Sequence, residues 1–193
     1  MKIAGVDYSM TCPCICVFGG TTFDITGCKF HYLTDTKKYI GSFCRGRFTG
    51  HEYASCSFQK TAPMTRYEFI ADWAMRQMTG VTDVLLEGYS MASRGLVFNI
   101  AENTAILKYK LWHADVELRT AAPTTIKKLA IKGNASKDEM YDAFLAETNI
   151  DLKTELSYTG NKVSSPVGDI VDSYYACKYG YDRIMEEKDD GKK

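Results

Sequence analysis

Residues 2–20 read KIAGVDYSMTCPCICVFGG. Two apolar runs of strand length, one ending at Asp7 and one at Gly19-Gly20, are separated by a polar stretch and Pro13. Short apolar runs bounded by turn residues read as buried strands. TTFDITGCKFHYL (21–33) follows as a third strand, so the chain opens as an antiparallel meander. The anomaly is Asp7, a carboxylate that ends an otherwise apolar strand.

Working outward, TRYEFIADWAMRQM (65–78) places Phe69, Ile70, Trp73, Ala74 and Met78 at helical spacing, and Gly80 ends it. VTDVLLEGYS (81–90) reads as a fourth strand, LVFNIAENTAILKYKLWHA (96–114) as a helix and DVELRTA (115–121) as a fifth strand. Pro123 opens a short helix through Ile131, and Ser136 with Glu139 forms a capping box for the next. The last helix starts at Pro166, with Ser165 as its cap, and runs into a charged tail. Residues 34–62 have no clear period and read as a long loop or irregular insertion. No repeat or long linker divides the chain, so residues 1–193 are expected to form one domain. The expected class is α/β: a mixed five-stranded sheet with helices on both faces, the element order of a ribonuclease H-like domain.

Three elements carry acids where charge is costly. Asp7 ends the first strand, Glu87 ends the fourth after Val84-Leu85-Leu86, and Asp169 and Asp172 share a face of the last helix among Val167, Ile170, Val171, Tyr174 and Tyr175. Like charges three apart on a helix repel, and burial of that face raises the cost. Each acid has a plainer reading. Asp7 suits a turn, Glu87 a solvated strand end, and Asp169 and Asp172 a solvated helix face or a partner of the helix dipole. None of these accounts for all four. A shared oxygen-only site does, and such a site suits Mg²⁺, with Mn²⁺ as a substitute. Two such ions about 3.5–4 Å apart are a recurrent device for phosphodiester hydrolysis.

The motifs resemble those of RuvC-type Holliday junction resolvases, a branch of the ribonuclease H-like nucleases. IAGVDYS is similar to the family's first-strand motif, VLLEGYSMASRGLVFNIAENTAILK to its strand-end Glu, loop and helix, APTTIKKLAIKGNASKDEM to its Pro-Lys-Gly-Asn-Ala-Lys stretch, and GDIVDSYYA to its closing helix. They fall in family order and cover most of the chain except 34–62. The resemblance implies a homodimer that binds four-way DNA junctions and makes paired nicks with Mg²⁺, two ions per site. It implies Asp7, Glu87, Asp169 and Asp172 as metal ligands and catalytic residues, with Lys137 near the scissile phosphate. The alternatives are a related nuclease acting on RNA–DNA hybrid or flap DNA, and an inactive nucleic-acid-binding scaffold.

Composition bounds these readings. Apolar residues make up 45% and charged residues 25%, as in ordinary globular proteins, and no apolar run approaches a membrane span. Formal net charge is zero, which by itself does not point to nucleic acid. Local surpluses do: Lys127, Lys128, Lys132 and Lys137 precede or open a helix, beside Gly133, and are candidate phosphate contacts. A solvated lysine-rich turn is the plainer reading. Tyr89 and Arg94 follow Glu87 as candidate contacts to unpaired bases, and Arg45 and Arg47 lie among Tyr39, Phe43 and Phe48 in the insertion. Leu96, Ile100, Leu107 and Leu111 offer either a dimer face or ordinary core. The seven cysteines, with no export signal read at the N-terminus, are expected to stay reduced in an intracellular, cytoplasmic setting, which for this family includes viral and organellar sources. Cys12, Cys14 and Cys16 alternate on one strand face without a second ligand pair, and Cys44, His51 and Cys56 are a weak metal set; all seven cysteines read as structural or incidental.

Overall fold

The structure is a computed structural model that describes residues 1–53, 63–88 and 97–190. Its strands are β1 (Lys2–Asp7), β2 (Cys14–Gly19), β3 (Cys28–Thr34), β4 (Gly41–Phe43), β5 (Phe48–Glu52), β6 (Asp83–Glu87) and β7 (Glu117–Ala121). They form one sheet in the order β4-β5-β3-β2-β1-β6-β7. β1, β2 and β3 pair antiparallel, β1, β6 and β7 parallel, and β5 runs parallel to β3 with β4 antiparallel at the edge. The mixed sheet is as expected, but it has seven strands, not five.

The two extra strands come from the segment read as irregular. β5 hides its period because one of its two inward positions is Gly50 rather than an apolar side chain. A Cβ at Gly50 would overlap the Tyr39 carbonyl and press on the Tyr32 ring, so the strand needs glycine there. Phe48, its other inward residue, is fully buried and stacks on Phe30 at 4.9 Å. β4 is a three-residue edge strand, too short to register as a pattern. The third strand begins later than expected: the Asp24 side chain accepts from the Thr26 and Gly27 amides and winds residues 25–27 into a 3₁₀ turn.

The helices are α1 (Pro63–Gln77), α2 (Val97–His113), α3 (Pro123–Ala130), α4 (Lys137–Thr148), α5 (Leu152–Glu155) and α6 (Val167–Asp190). The Ser136–Glu139 capping box forms as read. The last helix starts one residue late: the Pro166 carbonyl accepts from the Ile170 amide, so Pro166 rather than Ser165 stands at the cap. α5, a single turn capped by Asp151, carries too little pattern to be read in advance.

Strand parity sorts the core into two layers. Ile3 of β1, Cys14, Cys16 and Phe18 of β2 and Leu85 of β6 pack with α4 and α6. Ala4 and Val6, Ile15 and Val17, and Val84 and Leu86 pack with α1 and α2 on the opposite face. Central strands buried on both faces explain the continuous apolar runs of the opening stretch. Cys12, Cys14, Cys16, Cys28 and Cys177 are all buried thiols of this core. Among the described residues, no helix is long and apolar enough to cross a membrane.

Candidate active site

Parity also aims the acids. Asp7 follows Ile3 and Gly5 on the α6 side of β1, and Glu87 follows Leu85 on the same side of β6. The parallel ladder runs through Val6 and Leu86, so the two acids end neighbouring strands side by side. On α6, Asp169 and Asp172 face them. Close approach is possible because β1 has Gly5 where the helix backbone at Ser173 and Cys177 comes down on it. Asp7, Asp169 and Asp172 each offer an oxygen, and these oxygens lie within 4.8 Å of one another. Glu87 lies outside that group and shares with Asp7 the wall of an adjoining cavity. The structure therefore brings three of the four expected acids together and sets the fourth beside them.

The electrostatics are those of crowded anions in a low-dielectric site. Burial, reinforced by Asp169, Glu87 and Asp172, holds the Asp7 carboxyl well above the usual carboxylate range. Burial and Asp172 lift Glu87 to about 7. Asp172 is raised as well, by burial and Asp169, against the lowering pull of Lys137. Asp169 is 5% exposed, and its Oδ2 has no hydrogen-bond partner. A buried carboxylate oxygen without a donor is costly, and a cation would relieve that cost.

Lys137, the first residue of α4, partly answers the charge. Its Nζ lies 3.2 Å from Asp169 Oδ1 and 3.6 Å from Asp172 Oδ2. Burial alone would lower its pKa, yet Asp169, Asp172 and Asp7 together raise it. Gly168 makes the path: a Cβ there would stand 3.0–3.1 Å from the Lys137 Cδ and Nζ. One ammonium cannot balance four carboxylates, and an all-oxygen donor set with an orphaned buried oxygen fits a hard divalent cation.

The other expected residues divide. Lys127 donates to the Ala135 carbonyl at 2.9 Å, bracing the turn before α4, and its charge lowers the pKa values of Glu87 and Asp172. Lys132 pairs with Glu139 at 2.5 Å, while Lys128 is exposed. Arg47 donates to the Ile25 carbonyl and is half-buried, whereas Arg45 is exposed. Both arginines flank β4 and β5, with β5 three strands from β1 and thus about 14 Å away at the usual strand spacing. Tyr89, Arg94 and Leu96 lie outside the described residues, as does Cys56. His51 faces His31 at 3.3 Å, not Cys44.

A test follows from the raised carboxyls. Their folded pKa values exceed the unfolded ones, so without metal the folded state binds more protons at intermediate pH. Stability must then fall as pH rises, for Glu87 across the window from about 4.5 to about 7. The full Glu87 contribution is on the order of 3 kcal/mol. Melting in chelator is expected to drop across this window, and millimolar Mg²⁺ or Mn²⁺ to raise the melting temperature most at its alkaline end. A metal-independent, flat profile would refute the shared site.

A mixed sheet clothed by helices on both faces, with carboxylates at adjacent strand ends, is a ribonuclease H-like fold. No protein-family model matches the chain, and no curated protein matches it in sequence. Solved structures do. Thermus thermophilus RuvC superposes with a TM-score of 0.56 at 15% identity, over 96% of this chain and 97% of that one. The same protein in complex with a Holliday junction substrate gives 0.59 at 14% identity, covering 96% of each. The Fowlpox virus resolvase with Holliday junction DNA gives 0.49 at 15%, over 96% and 99%. The fold is thus that of RuvC.

Proposed function

We propose that the protein is a structure-selective endodeoxyribonuclease that resolves four-way DNA junctions with a divalent metal. The observation that carries this reading is the acidic centre itself: Asp7, Asp169 and Asp172 converge, Glu87 stands beside them, and one buried oxygen lacks a partner. The likeness to RuvC, solved with Holliday junction substrate, supports the choice of substrate. Asp7, Glu87, Asp169 and Asp172 would hold Mg²⁺ or Mn²⁺. When bound, the metal supplies Lewis acidity at the phosphate and lowers the pKa of water. The carboxylates, ionised once a cation relieves their repulsion, would hold that cation beside the place of the scissile phosphate. Lys137 holds Asp169 and Asp172 in place and brings positive charge to the phosphate's edge. Exposed Lys128 and Arg45 add sequence-independent phosphate contacts.

Paired nicking calls for two copies. Leu107 and Leu111, read as a possible dimer face, are fully buried against α1 and the sheet. The exposed stripe of α2 is instead Phe98, Glu102, Ala105, Tyr109 and Trp112, with Phe98 80% and Trp112 72% exposed. This stripe is self-complementary about Ala105. In an antiparallel two-fold pairing Phe98 meets Trp112 of the partner subunit, and Glu102 meets Lys108 of the partner subunit. Trp112→Glu is expected to leave the melting temperature near wild type, since it touches no core, while converting a dimer to a monomer by light scattering. A dimer that persists in Trp112→Glu would place the interface elsewhere.

The function is tested with labelled four-way junction, linear duplex and RNA–DNA hybrid, each with Mg²⁺ and with chelator. Paired nicks confined to the junction and lost in chelator are the expected result. Cleavage of the hybrid alone would move the reading to a ribonuclease, and binding without metal-dependent cleavage to a scaffold.

A further inference from the structure

Against the acidic centre lies a cavity of about 290 Å³ whose wall includes Asp7, Ser9, Met10, Glu87, Ile100 and Thr104. We propose that it receives a single nucleobase, turned out of the stack next to the scissile phosphate, and that it sets base preference at the cut. This rests on the nuclease reading above and adds the source of its sequence selectivity.

Charge narrows the occupant. Among the described lining residues there is no lysine or arginine, and two carboxylates sit at one end. A phosphate finds no basic partner there, and the mainly apolar wall suits an uncharged occupant. Met10, Ile100 and the neighbouring Pro123 make the walls mainly apolar, while Ser9, Thr11 and Thr104 place hydroxyls among them. Apolar faces with a few polar groups at the edge suit a flat heterocycle.

The hydroxyls are differentiated. Ser9 Oγ accepts from the Cys12 amide at 3.0 Å and keeps its own proton to donate. Thr104 gives its proton to the Ile100 carbonyl at 2.8 Å and retains lone pairs to accept. One free donor and one free acceptor can answer the mixed hydrogen-bonding edge of a base. Size agrees as well, since the cavity is at the small end of ligand pockets, ~300–1,000 Å³, room for one base and not a duplex. Its shared wall with Asp7 and Glu87 ties the base to the nucleotide being cut. Ser9 and Met10 are about ninety residues from Ile100 and Thr104 in the chain, and only the fold assembles them into one wall.

The experiment uses full-length Asp172→Asn protein, to hold the strand intact, and four-way junctions carrying 2-aminopurine at each nucleotide flanking the cut. A several-fold rise in fluorescence is expected at one flanking position, lost when Ile100→Phe fills the cavity. In a pool of junctions randomised at those positions, the enzyme with its native Asp172 is expected to select bases at the same position. Ile100→Phe and, as the milder change, Thr104→Val should each flatten or shift that selection. Uniform fluorescence, or selection unaltered in variants that melt like wild type, would overturn the pocket and leave the nuclease reading intact. Failure to bind or nick any nucleic acid would overturn both.

Discussion

Protein carrying Asp7→Asn is expected to nick a four-way junction about a thousandfold more slowly than wild type, a loss of ~4 kcal/mol of transition-state stabilisation. The same protein is expected to melt at a higher temperature in chelator. The two effects share one cause. Asp7 is the acid on which burial and the fields of Asp169, Glu87 and Asp172 all converge, each raising the cost of its charge. An amide of the same shape removes that cost and one ligand oxygen together. The rise in melting temperature on adding Mg²⁺ should shrink in parallel. Single-turnover nicking and thermal melts with and without Mg²⁺ check both halves. An Asp7→Asn protein that nicks normally would remove Asp7 from the site, and one that loses activity by unfolding would melt lower, not higher.

Gly5→Val has the opposite signature: loss of the fold itself. A Cβ at position 5 would overlap the Cys177 amide nitrogen and lie 2.5 Å from the Ser173 carbonyl. These are backbone atoms of α6, so no side chain can rotate away, and β1 must separate from the helix that covers it. Overpacking alone costs about 1–3 kcal/mol where neighbours can yield, and here they cannot. A loss above about 4 kcal/mol is expected, a large share of a total near 5–15 kcal/mol. Urea unfolding should show the midpoint collapse, or no soluble protein at all. Gly19→Val is the control, because nothing lies within 4 Å of a Cβ there. A normal midpoint in Gly5→Val would mean that α6 packs farther from β1 than described. Because Gly5 is two residues from Asp7, and Ser173 one turn beyond Asp169, the same contact sets the geometry of the acidic centre.

Much of this was legible along the chain. The alternating or continuous apolar runs of β1, β2 and β6 and the helical period of α1 are local consequences of burial on defined faces. The capping box at Ser136 and Glu139 is a local exchange of hydrogen bonds. The four carboxylates stood out because apolar neighbours make charge expensive wherever the chain goes. β4 and β5 did not stand out, because Gly50 serves a close approach of Tyr39 and Tyr32, residues distant in sequence. The apolar residues of α2 could not be assigned between core and interface until α1 and the sheet covered Leu107 and Leu111 and left Phe98, Tyr109 and Trp112 outside.

The sequence alone determined the central strands and the longer helices and singled out the acids, since periodicity and the cost of misplaced charge are properties of short segments. Tertiary structure decided what those segments meet. Strand parity put Asp7 and Glu87 on the α6 side, and Gly5 let α6 close enough for Asp169 and Asp172 to join Asp7. Gly168 opened the way for Lys137 to reach both helix acids. The cavity beside them exists only because the β1–β2 turn, the end of β6 and the face of α2 come together. These are contacts between residues far apart in the chain, such as Gly5 and Cys177, set by packing distance and not by any pattern in the chain.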